Sequence, residues 1–129
     1  MSNRPRFRMA AACAIVALFF CAEGQASCDV AAGEKIFAKC AACHSLEPGQ
    51  HLMGPSLHAV LGRHAGRADG FVYSLAMERA KITWTAETLE AFIADPAGYV
   101  PGTAMPFAGL KSPEQRAALV CMFQHTTTR

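Results

Sequence analysis

Nowhere in this sequence do apolar and polar residues alternate as a half-buried strand requires, which argues against a sheet. Charged residues are only 17% of the chain while just over half of it is apolar, so charge-driven disorder is excluded and a packed core is within reach. With 129 residues there is room for one domain and too little for two. Lysine is scarce, occurring only at Lys35, Lys39, Lys81 and Lys111. The one long apolar run, residues 9–22, is shorter than the roughly 20 residues a spanning helix needs. It follows Arg4, Arg6 and Arg8 and ends near the small residues Ala26 and Ser27, the pattern of a cleaved secretory signal. The expected organisation is therefore a signal peptide over 1–26 and one domain over 27–129, with an uncleaved membrane anchor as the minority reading. Removing Arg4, Arg6, Arg8 and Glu23 leaves nine basic and nine acidic residues, so no global field favours nucleic acid.

Four cysteines stay in the mature chain: Cys28, Cys40, Cys43 and Cys121. Two of them lie in "FAKCAACHSL", with His44 directly after Cys43. A redox dithiol would need a strand ahead of the motif, and a structural zinc would need a second ligand pair; neither pattern is present. Cys-x-x-Cys-His is instead the signature of covalent haem attachment. Thiols three apart at a helix end reach two vinyl groups of one macrocycle, and an imidazole four after the first lies on the same side of the turn. The cofactor implied is one haem c, bound through Cys40 and Cys43 with His44 on the iron. A ligating imidazole donates its other N–H to an acceptor, and Pro55, with a carbonyl and no N–H, suits that role.

Periodicity gives an all-α reading with long loops in the middle. Asp29 caps a helix running to about Cys40, with Gly33, Ile36, Phe37 and Cys40 on one face. Residues 46–70 read as loop with one helical turn near Leu57 and Leu61, and residues 74–80 as a short helix. Thr85 caps a helix that buries Leu89, Phe92 and Ile93 and stops at Pro96. Ser112-Pro113-Glu114-Gln115 starts the last helix as a capping box, with Leu119, Val120 and Phe123 inward. Loops this long in so small a domain need something central to pack on.

A second axial ligand is sought downstream. Met105 sits between Pro101 and Pro106 in an extended segment that can present a thioether; Met77 is its rival, while Met53 and Met122 read as core filler. Imidazole plus thioether favours reduced iron, and a filled sixth position turns away oxygen and peroxide.

Taken with "GEKIFAKCAACHSL", "GPSLHAVLGRHAG", "GFVYS", "ITW" and "PAGYVPGTAMPFAGL", the chain resembles the class I c-type cytochromes from about Asp29 to Phe123. The resemblance implies a small cytochrome c fold, N- and C-terminal helices crossing and loops wrapped around one haem. It implies Cys40 and Cys43 as thioether links, His44 and Met105 as axial ligands, Pro55 as acceptor for His44, and Arg63, Tyr73, Trp84 and Thr103 near the propionates. It implies that Gly33 and Phe37 mark the helix crossing and that His51 ties two loops together. Phe92 and Met77 depart from the family pattern, standing where many relatives carry Tyr and Asn. The function implied is single-electron transfer by a monomer between membrane redox complexes in an exported compartment, the periplasm first, with no catalytic residues and no small-molecule substrate. The alternative is a haem-c peroxidase or gas sensor with a displaceable Met105. Cys28 and Cys121 either pair as a disulfide or stay apart, one exposed and one as a small core residue.

Overall fold

Gly33 sets a close approach between the two ends of the chain. A Cβ at this position would run into the carbonyl oxygen of Ala118 and the Cβ of Met122. In the computed structural model, which describes residues 27–126, that approach joins α1 (Val30–Phe37) to α5 (Pro113–Thr126). Between them come α2 (Leu75–Arg79), α3 (Ala86–Ala94) and α4 (Pro96–Tyr99). Among the described residues the only extended pairings are the isolated bridges His44 to His51 and His64 to Thr83. The architecture is all-α, as the absence of alternation implied.

Local chemistry accounts for the helix starts. The Asp29 carboxylate accepts from the Ala32 N–H at 2.9 Å, and Ser74 accepts from the Met77 N–H at 3.2 Å. Thr85 and Thr88 cap each other reciprocally. Ser112 accepts from the Gln115 N–H, but the expected box does not close: the Gln115 side chain accepts from Lys39 at 3.4 Å, reaching across to the end of α1. The helix capped by Thr85 ends at Ala94, just ahead of Pro96, as expected. Not foreseen is that the Asp95 carboxylate accepts from the Gly98 N–H, so Pro96 also opens α4 at its first position. No helical turn forms near Leu57.

The core lies where α1, α3 and α5 meet. Leu119, Val120, Met122 and Phe123 are buried with Leu89, Phe92 and Ile93, and the Phe37 and Phe123 rings meet edge to face at 6.2 Å. Met53 is not core filler, as expected from its type; it is 74% exposed. It sits in a turn closed by the Leu52 N–H to the Gly54 carbonyl, at the exposed rim of the central cavity and not in the packed core. Cys28 and Cys121, 5.5 Å apart at Cα, are joined by a disulfide that fastens the chain ahead of α1 to α5. Residues 1–26, where the signal peptide is expected, lie outside the described residues. No helix among the described residues is long and apolar enough to cross a membrane.

A cavity lined by two cysteines, a histidine and three methionines

After α1 the chain keeps turning. The Cys40 N–H bonds the Phe37 carbonyl at 2.7 Å, and the His44 N–H bonds the Cys40 carbonyl at 2.9 Å. This last bond is an α-type i to i−4 link, so Cys40 and His44 sit one turn apart on the same side. Both line a cavity of about 420 Å³, together with Cys43.

His44 is fixed by its far nitrogen. Nδ1 lies 2.8 Å from the Pro55 carbonyl oxygen, so Nδ1–H is the donor and Nε2 carries the free lone pair. Gly54 makes the arrangement possible, because a Cβ there would overlap the imidazole ring. Burial lowers the His44 pKa, the Pro55 hydrogen bond opposes this, and the charge of Arg63 adds to the lowering. The neutral ring is thereby favoured, the form that ligates a metal. For Cys40, burial raises the pKa first, a charge on Cys43 raises it further, and Lys39 works the other way. A buried thiol pushed upward is the opposite of what a redox dithiol needs.

Across the loops, Tyr73, Trp84, Thr103 and Met105 line the same cavity. The Tyr73 hydroxyl accepts from the Ala68 N–H at 3.3 Å. Trp84 is buried, its ring packed on Phe92 at 5.1 Å, while its backbone N–H donates to the Arg63 carbonyl. The Met105 N–H reaches the Thr103 hydroxyl at 3.4 Å. Met77 and Phe92 are buried in the wall. Arg63 does not line the cavity. Its two terminal nitrogens donate to the Ser56 carbonyl at 2.9 Å and the His58 carbonyl at 3.3 Å, while Nε is buried with no hydrogen-bond partner among the described residues. His51 joins two loops: Nδ1 accepts from the Ser56 N–H at 2.9 Å, so Nε2–H donates to the Asp69 carbonyl at 2.8 Å.

Sequence reasoning passed over Phe71 and Phe107, which also line the wall. Phe71 packs edge-on to Tyr73 at 4.8 Å. The available signal was its place beside Tyr73 in "GFVYS"; for Phe107 it was the extended run after Met105, in which residues 103–107 all touch the cavity.

The residues fit a haem. The lining is chiefly apolar, its heteroatom donors are thiols, an imidazole with a free Nε2 and thioethers, and Gly54 leaves room for a ring-on-backbone contact. The other cluster of cysteine and histidine, Cys28, Cys121 and His125, is elsewhere, with its sulfurs bonded to each other.

Residues 30–121 match the family model for cytochrome c. Cytochrome c of Chlamydomonas reinhardtii is 48% identical over 101 residues, covering 77% of this chain and 90% of that protein. Cytochrome c2 of Blastochloris viridis is 43% identical over 93 residues, covering 71% and 73%. Among solved structures, cytochrome cH from Methylobacterium extorquens superposes with a TM-score of 0.72 at 40% identity, covering 75% of this chain and 98% of that one. The chain therefore belongs to the cytochrome c family, as a non-enzymatic single-electron carrier with one covalent haem c.

Proposed function

We propose that Cys40 and Cys43 hold the haem as thioethers, that His44 and Met105 are its axial ligands, and that the domain over 27–129 carries electrons between membrane redox complexes. The observation that carries this reading is the hydrogen bond from His44 Nδ1 to Pro55, which leaves Nε2 as the only free imidazole nitrogen in a cavity also lined by both cysteines and Met105. A haem held by these residues would supply one-electron chemistry between ferric and ferrous iron.

Each residue has a physical task. Pro55 holds the imidazole orientation through both oxidation states, so little reorganises. Met77, Phe92 and Trp84 keep water from the distal side. Tyr73, Trp84 and Thr103 offer hydroxyl and indole donors for the propionates. Arg63 supplies positive charge behind them, with its buried and unpaired Nε as the supporting observation.

Export to the periplasm follows from the signal pattern over 1–26, and a monomer suffices for a carrier of this kind. Optical spectra of the oxidised and reduced protein test the ligand set. Low-spin spectra in both states, with a thioether-to-iron band in the oxidised form, are expected. A high-spin reduced spectrum, or rapid carbon monoxide binding at neutral pH, would overturn Met105 as ligand and favour a gas-binding or peroxidase role.

A further inference from the structure

One set of soft ligand atoms lies outside the haem cavity. Cys121 and His125 are four apart on α5, hence on one face of the helix. Cys28, just ahead of α1, is brought to the same place. The two sulfurs and an imidazole nitrogen all lie within 4.8 Å of one another. His125 Nδ1 is 3.3 Å from Cys28 Sγ and 3.1 Å from the Cys121 carbonyl oxygen. None of the three lines the cavity.

Two thiolates and an imidazole on one patch are a zinc ligand set with a fourth position left for water. Sulfur donors select zinc or cuprous copper over magnesium and calcium. Cys28 and His125 are exposed, so an ion and its water have access. As a disulfide the sulfurs are bonded to each other and cannot act as thiolates, so this set is closed. The fold holds the parts together without the bond, because α1 and α5 are already locked at Gly33.

We propose that Cys28, Cys121 and His125 form a redox-gated zinc site, closed as the disulfide and opened by a dithiol reductant. In the opening step the dithiol passes two electrons to the sulfur–sulfur bond, which breaks. The dithiol becomes a disulfide, and its two protons end on Cys28 and Cys121. Zinc then binds both sulfurs as thiolates, releasing those two protons to solvent, while His125 contributes a neutral nitrogen. This inference is independent of the ligand set proposed for the haem.

The experiment measures zinc bound by the mature holoprotein in equilibrium dialysis, before and after reduction with a phosphine, which takes its oxygen from water and leaves both thiols. The disulfide form is expected to bind none, and the reduced form about one zinc per chain. Cys28→Ser and Cys121→Ser should each abolish uptake. His125→Ala keeps the disulfide intact and should weaken zinc binding in the reduced form at least about tenfold. No zinc on the reduced wild type, equal zinc on the oxidised form, or an unchanged affinity in His125→Ala overturns the proposal. A thiol count keeps the two readings apart: two thiols after reduction are expected when Cys40 and Cys43 are thioethers. Four would overturn the haem linkage and leave the zinc site to be judged by the variants.

Discussion

Gly33 lies against the Ala118 carbonyl so closely that no side chain fits between α1 and α5. The obstructing atom is backbone, so it cannot rotate aside. Gly33→Ala gains helix propensity worth about 1 kcal/mol, yet must push the two helices apart. The separation costs more, because overpacking a tight contact typically costs about 1–3 kcal/mol and here it also loosens the edge-to-face contact of Phe37 with Phe123. Urea unfolding of the variant should show a lower midpoint than wild type. A midpoint at or above wild type would mean that the helices can separate freely.

The disulfide between Cys28 and Cys121 closes a loop of sequence separation 93. Constraining that much unfolded chain stabilises by about 2–5 kcal/mol. Phosphine reduction, or Cys28→Ser, should therefore lower the unfolding midpoint while leaving the haem spectrum unchanged, since neither cysteine touches the cavity.

Two loops depend on His51. Replacing it by alanine strands the Ser56 N–H and the Asp69 carbonyl together. A buried unsatisfied group costs about 1–3 kcal/mol, and only the Ser56 end is partly buried, so a loss near the lower end of that range is expected. Hydrogen exchange should report the change at Ser56 before it appears in the helices.

These features were unequally legible in the sequence. Gly33 and the caps at Asp29, Thr85 and Ser112 act within a few residues or on a helical face, and spacing alone exposes them. His44 was legible because its partners stand at fixed offsets. Pro96 was legible as the end of α3 but not as the start of α4, which depends on Asp95 acting as a cap. Met53 was misjudged because a methionine beside a Gly-Pro pair carries no pattern that separates a rim from a core. The hold of Arg63 on Ser56 and His58 depends on how a loop folds back, which no periodicity encodes.

Charge around the cavity is sparse. Lys39 is the only lysine among its lining residues, and Lys111 is occupied with the Ala94 carbonyl. Steered association raises on-rates ten- to a thousandfold and collapses with salt. Here the bimolecular rate with a redox partner should change by less than about threefold across the range where such steering is screened out. Stopped-flow measurement across that range checks this; a steep fall with salt would reveal a docking field that the sequence does not suggest.

Met105 and Met77 both reach the cavity, and they differ in how they are held. Met77 is buried on α2, its backbone N–H bonded to Ser74, among core side chains. Met105 lies on a non-helical segment between Pro101 and Pro106, only partly buried at the edge of the core. A side chain packed on a helix face is committed to its contacts; one on a stiff extended segment can be aimed at an ion. Met105→Ala should therefore convert the spectrum to one with an open axial position and admit carbon monoxide to the reduced protein. Met77→Ala should leave the axial ligand bands in place and lower stability by about 2–5 kcal/mol, the cost of a buried cavity. If the two outcomes are exchanged, the thioether ligand comes from α2, and the 99–110 segment serves only to cover the haem.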